Sequence, residues 1–89
     1  MAAVRGVTYG MKEIHSDWYQ QLGLKISYYR RLRGFTQAEL AEKIDKATAF
    51  IGQVESPRVE KTLSLDTLFD IAVALDIQPK QFFDFDETV

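Results

Sequence analysis

The sequence predicts an all-α fold, a compact bundle of five helices in which the second and third form a helix-turn-helix. Three observations carry that expectation. Apolar residues recur at three- and four-residue intervals along the successive segments that follow residue 16. Residues that start helices (Ser16, Thr36, Ser64, Pro79) and residues that stop them (Gly34, Pro57) punctuate those segments. Finally, residues 36–55, TQAELAEKIDKATAFIGQVE, divide into two short helices around a tight turn, with the polar residues grouped on one side.

The first helix is expected after Ser16, which can cap it, with Asp17 in the favourable first turn. Trp18, Leu22, Ile26 and Tyr29 then recur down one face, and Gly34 ends the helix. Thr36 can cap the second helix with Glu39 three residues on, a capping-box spacing, and Leu40, Ala41 and Ile44 form its apolar face. Asp45 and Lys46 make the turn. The third helix is expected over 47–55 with Phe50, Ile51 and Val54 inward, and Pro57 stops it. Ser64 can cap the fourth, whose stripe is Leu65, Leu68, Ile71, Ala72 and Leu75. Pro79 opens a last short helix, with Phe82, Phe83 and Phe85 closing the bottom of the bundle. Residues 1–15 contain Gly6 and Gly10 and no sustained helical period; Val4, Val7 and Tyr9 suit a short strand, and an arm is the alternative. The expected organisation is an N-terminal arm (1–15), a helix-turn-helix domain (16–85) and an acidic C-terminal tail (86–89).

Composition bounds what such a bundle can do. A chain of 89 residues with 46% hydrophobic content supports one domain with a compact core. The absence of cysteine excludes disulfides and thiolate metal sites and points to a reducing compartment, so cytoplasm is expected. Apolar runs fall far short of a membrane span, and residues 1–9 lack the apolar core of a secretion signal. The net charge of −2 disfavours nucleic-acid binding by bulk attraction, but the charge is uneven. Residues 25–61 hold eight cations against five anions, whereas beyond Lys61 a single Lys80 faces six acidic residues. The basic excess therefore centres on the helix-turn-helix.

A helix that reads DNA must be held by apolar residues on one face and present side chains that reach base edges on the other. With Phe50, Ile51 and Val54 buried, Thr48, Ala49, Gly52 and Gln53 face outward. The Gln53 amide can pair bidentately with adenine, the Thr48 hydroxyl can donate or accept, and Ala49 can pack on a thymine methyl. Gly52 permits close approach and costs about 1 kcal/mol of helix stability relative to alanine. Arg33, Arg58 and Lys61, near helix ends or in the loop after the third helix, are expected to contact phosphates, and Lys25 and Arg31 are expected to be solvated helix charges.

Arg30, Gly34, Thr36 with Gln37, Leu40 with Ala41, Ile51, Glu55, Ser64 with Leu65, Leu68, Ile71 with Ala72, and Leu75 occur in an order and at separations that are similar to one known family. From about residue 22 to residue 83 the chain resembles the lambda-repressor-like (Cro-type, XRE-family) helix-turn-helix domains. The resemblance implies five helices, the second and third binding double-stranded DNA, with Thr36 and Gln37 at the DNA surface and Gln37 both contacting phosphate and buttressing the recognition helix. It also implies an internal ion pair between Arg30 and Glu55, which makes both scaffold. The chain departs from the family pattern in four places. Lys46 stands where a small aliphatic residue is usual, so its stem snorkels or the turn opens slightly. Ala47 replaces a serine or threonine cap, so the cap falls to Asp45 or is absent, at a cost of about 1 kcal/mol. Gly52 replaces a common serine, and Ser56-Pro57 with a longer connection to Ser64 replaces a basic, glycine-containing turn.

Phe50, Phe69, Phe82, Phe83 and Tyr29 lie at helical spacing and are expected in the core rather than on a base-stacking platform. Trp18, Tyr19 and Tyr28 cannot all point inward; they pack under the N-terminal arm, the preferred reading, or form a dimer contact. A lone His15 without cysteine gives no metal site, and no nucleophile–base pair or glycine-rich phosphate loop is present, so neither an enzyme nor a cofactor is expected. Two functions fit. The first is sequence-specific double-stranded DNA binding by a small transcriptional regulator, as a homodimer on half-sites about one helical turn apart. The second is an antitoxin-like or accessory protein-interaction module with weak DNA binding, suggested by the negative net charge and by a third helix without lysine or arginine.

Overall fold

The periodic segments fold as helices in the computed structural model, which describes residues 15–58 and 61–85. The elements are α1 (Ser16–Leu32), α2 (Gln37–Lys43), α3 (Thr48–Glu55), α4 (Leu65–Leu75) and a 3-10 helix (Pro79–Phe83), with no strand among the described residues. The fold is all-helical, and the expected fifth helix takes the tighter 3-10 form. The expected strand or arm over residues 1–14 and the acidic tail over 86–89 lie outside the described residues.

Local chemistry sets most helix ends. The Thr36 hydroxyl accepts from the Glu39 amide at 3.0 Å and the Glu39 carboxylate accepts from the Thr36 amide at 2.8 Å, a reciprocal capping box. Ser64 accepts from the Thr67 amide at 3.1 Å, and Pro79 opens the 3-10 helix. Ser16 does not cap α1. It is the first helical residue, and His15 occupies the cap position without a side-chain bond.

Three helices stop by one device. Gly34 (φ 80°), Asp45 (φ 58°) and Asp76 (φ 58°) adopt the left-handed conformation. The amides that follow them then reach back: Phe35 to the Arg30 carbonyl at 3.1 Å, Lys46 to Ala41 at 2.9 Å and Ile77 to Ala72 at 3.0 Å. These are Schellman closures, which glycine enters freely and aspartate enters at moderate cost.

The core is built from Leu22, Ile26, Leu40, Ala41, Ile44, Ile51, Val54, Leu68, Ile71, Ala72, Leu75 and Phe82. Several expected core residues lie elsewhere. Trp18, which with Tyr19 and Tyr28 is not expected to point wholly inward, is 52% exposed and stacks on His15 in the first turn of α1. Leu65, Phe69 and Phe83 are also exposed, whereas Phe50 and Tyr29 are half-buried against the core as expected, and Thr67 takes an inward position on α4. The geometric reason is simple. Thr67, Leu68, Ile71, Ala72 and Leu75 define the inward face of α4, and Phe69, about 100° beyond Leu68 and turned away from Ile71, falls outside it, while Phe83 follows the fully buried Phe82 by a third of a 3-10 turn.

Candidate nucleic-acid interface

The helix-turn-helix is assembled by short-range turns and one long-range crossing. The Schellman closure at residues 44–46 brings α3 against α2, while α3 also packs on α1. That second contact depends on Gly23, a buried residue in the interior of α1: a Cβ placed there would run into the Val54 carbonyl oxygen. Sequence reasoning missed Gly23. Its signal was available, since an interior helical glycine costs stability and usually marks a close approach.

Ile51 and Val54 bury the inner face of α3, and Phe50 is half-buried beside them. Thr48, Ala49 and Gln53 are exposed and Gly52 is half-buried. The helix starts at Thr48 behind Ala47, with no side-chain cap, and Asp45 does not supply one because it occupies the left-handed turn position.

An ionic network fixes the far end of α3. The Arg30 guanidinium donates to both oxygens of Glu55, through Nε at 2.7 Å and Nη2 at 2.9 Å, and through Nη1 to the Phe35 carbonyl at 2.6 Å. The two side chains are 8% and 5% exposed. Gln37 joins them, its Nε2 donating to Glu55 Oε1 at 3.0 Å. One carboxylate thereby gathers α1, the first residue of α2 and the last residue of α3, and the buried charge is paired and hydrogen-bonded rather than isolated. The Gln37 Oε1 faces Gly52, where an added Cβ would stand at an ordinary 3.6 Å.

The cations divide into two groups. Arg33, expected at phosphate, has its guanidinium at a helix end: its Nε donates to the Leu75 carbonyl at 2.6 Å and its Nη2 to the Asp76 carbonyl at 3.1 Å, at the end of α4. A guanidinium there complements the negative end of the helix dipole. Arg58, in contrast, is exposed in the loop after α3. The Lys46 side chain runs out over the Phe50 ring, its Nζ 5.5 Å from the centroid, and Lys61 Nζ reaches the same ring at 5.5 Å. Of the two courses expected for Lys46, a snorkelling stem or an opened turn, the side chain takes the first, with its ammonium group beside the first turn of α3.

Thr48, Ala49, Gly52 and Gln53 thus share the outer side of α3, Thr36 and Gln37 stand at the start of α2, and Arg58 and Lys61 lie in the following loop. The Thr36 hydroxyl oxygen is occupied as an acceptor in the capping box and keeps its proton for donation. No helix among the described residues is long and apolar enough to cross a membrane.

A family model described as helix-turn-helix matches residues 26–82. No curated protein matches the chain. Among solved structures, the chain is similar to the restriction-modification controller protein C.AhdI from Aeromonas hydrophila, with 28% identity and a TM-score of 0.72 over 78% of this chain and 97% of that one. With α2 and α3 packed as a helix-turn-helix within the matched residues, this chain belongs to the lambda-repressor-like, XRE-type helix-turn-helix family of DNA-binding regulators.

Proposed function

We propose that the chain binds double-stranded DNA sequence-specifically as a small transcriptional regulator, with α3 in the major groove and two copies acting on paired half-sites. The observation that carries this reading is the division of α3: Ile51 and Val54 are buried while Thr48, Ala49 and Gln53 are exposed. Gln53 reads adenine, Thr48 and Ala49 add hydroxyl and methyl contacts, and Gly52 leaves room for close approach. Thr36, Gln37, Arg58 and Lys61 flank this face and meet the backbone, which positions the helix without reading sequence. The functional unit is residues 16–85, with 1–15 as an arm and 86–89 as a tail. Similarity to a restriction-modification controller protein supports a regulator of this size and class.

The dimer is supported by a stripe on α4. Leu65, Phe69 and Val73, four residues apart, are 63%, 45% and 80% exposed. Since α4 packs chiefly on α1, α2 and the 3-10 helix, a second copy seated on this stripe leaves α3 free for DNA.

The alternative, a protein-interaction module with weak DNA binding, draws on a second apolar row. Leu24, Tyr28 and Leu32 line a groove on α1 that runs to Gln37, Gly52 and Pro57. A protein seated in that groove covers part of the reading face.

Selection from a random duplex library separates the two. The expected result is a two-fold symmetric site with half-sites about one helical turn apart, and loss of preference at one base position per half-site in Gln53→Ala. A folded wild-type protein that enriches no sequence and binds no duplex at low salt sinks the DNA reading.

A further inference from the structure

The recognition helix contains no lysine or arginine between Thr48 and Glu55, and the whole chain carries a charge of −2. Phosphate attraction at α3 must therefore come from cations delivered by its neighbours. Two of them meet on one side chain. Lys46 arrives from the turn before α3 and Lys61 from the connection after it, and each ammonium nitrogen lies 5.5 Å from the centroid of the Phe50 ring. Their separation cannot exceed twice that distance.

Phe50 can hold them because it is anchored. One side of the residue packs against the buried cluster around Ile51 and Val54, and its position in the first turn of α3 ties the ring to the helix itself. The negative face of an aromatic ring attracts ammonium groups, whereas a leucine or isoleucine of similar volume fills the core without that attraction. Gathering two like charges also carries a repulsive cost that a bound phosphate relieves. The pair is then favoured in the complex more than in the free protein.

We propose that Phe50 is a positioning residue for DNA binding, its ring gathering the Lys46 and Lys61 ammonium groups into one phosphate-contacting pair beside the start of α3. The inference rests on the DNA-binding reading above. Phe50 touches no phosphate itself and acts through the two lysines. Lys46 thereby joins Lys61 as a backbone contact, and the departure from an aliphatic residue in the turn acquires a use.

The test is a double-mutant cycle on the selected duplex, read as the slope of log affinity against log salt by fluorescence anisotropy. Removing both lysines (Lys46→Met with Lys61→Met) is expected to lower the slope magnitude by nearly two, since each phosphate contact contributes about 0.9. Phe50→Leu is expected to lose affinity about five- to tenfold at low salt and part of the slope, Phe50→Trp to keep both, and Phe50→Leu to change the slope no further once the lysines are gone. A fold defect alone does not produce that pattern. A Phe50→Leu protein with wild-type slope overturns the proposal, as does a lysine-free variant with wild-type slope.

A measurement on the wild type covers the case in which Phe50→Leu does not fold. The ε-methylene protons of Lys46 and Lys61 are expected upfield of ordinary lysine values by the ring current of Phe50, and ordinary values for both overturn the proposal. A folded wild type that binds no duplex removes the DNA reading, and this inference with it; a wild type that binds while Phe50→Leu leaves the slope unchanged removes only this inference.

Discussion

Gly23 and Val54 cross so closely that a single methyl group on Gly23 would collide with the Val54 carbonyl oxygen. The crossing seats α3 on α1, and backbone cannot yield as a flexible side chain does. Gly23→Ala gains helix propensity but overpacks the contact, and the net effect expected is a loss of about 1–3 kcal/mol. For a domain of this size each kcal/mol corresponds to a melting shift of roughly 4–8 °C. Thermal unfolding checks it, and a melting temperature equal to or above that of the wild type means the helices do not approach as closely as described.

Arg30 and Glu55 form a buried bidentate pair, so removing one partner strands the other. Arg30→Met leaves the Glu55 carboxylate with only Gln37, and a loss of about 3–5 kcal/mol is expected. Combining it with Glu55→Leu removes the stranded charge and is expected to recover a large part of that loss. Urea unfolding of the two single variants and the double variant provides the comparison; strictly additive losses contradict a direct pairing.

Arg33 reaches the carbonyls at the end of α4. Arg33→Ala is expected to cost about 1–2 kcal/mol through the lost carbonyl bonds and to leave the salt dependence of DNA binding unchanged. Thermal unfolding paired with a salt titration distinguishes the roles. A slope lowered by about one, with stability intact, restores Arg33 to the phosphate contacts.

The bonds of Arg33 to the end of α4 bear on what a sequence can disclose. The Thr36–Glu39 box, the Ser64 cap, Gly34 and Pro79 were legible because both members of each interaction lie within a few residues. The period of α3 likewise separated Ile51 and Val54 from the outward residues. The acceptors of Arg33, however, are backbone carbonyls more than forty residues away, and every residue type carries a carbonyl. Gly23 belongs to the same class, since its partner is backbone on another helix. The outward turn of Leu65, Phe69 and Phe83 was hidden for a different reason: α4 and the 3-10 helix are apolar on more sides than the core can accept. The pairing of Arg30 with Glu55 came from family resemblance, because nothing in a separation of twenty-five residues specifies a contact.

Gly52 has no structural need to be glycine. An added Cβ stands 3.6 Å from Gln37 Oε1, an ordinary contact, and the residue lies within regular helix. Gly52→Ala is therefore expected to stabilise the fold by about 0.5–1 kcal/mol. If Gly52 serves close approach of DNA, the same change weakens binding even as the melting temperature rises. Opposite shifts in the two measurements support the role at the interface, and parallel increases remove Gly52 from it.

Val73 is 80% exposed at the C-terminal end of the α4 stripe, so a charge placed there meets water in the monomer and is desolvated in a dimer joined along that stripe. Val73→Asp is expected to cost the monomer no more than about 1 kcal/mol, since the site is exposed but lies in the last turn of α4, where an added negative charge opposes the helix dipole. Asp66 and Asp70 already carry negative charge on α4, and the added carboxylate would face its own two-fold copy. Sedimentation velocity is expected to show loss of dimer. DNA binding should become weaker and half-site-limited, because the second copy no longer benefits from the effective concentration set by the first. A Val73→Asp protein that still dimerises moves the interface off this stripe; the α1 row of Leu24, Tyr28 and Leu32 is then the surface to alter next, and its proximity to Gln37 and Gly52 makes a dimer formed there compete with DNA.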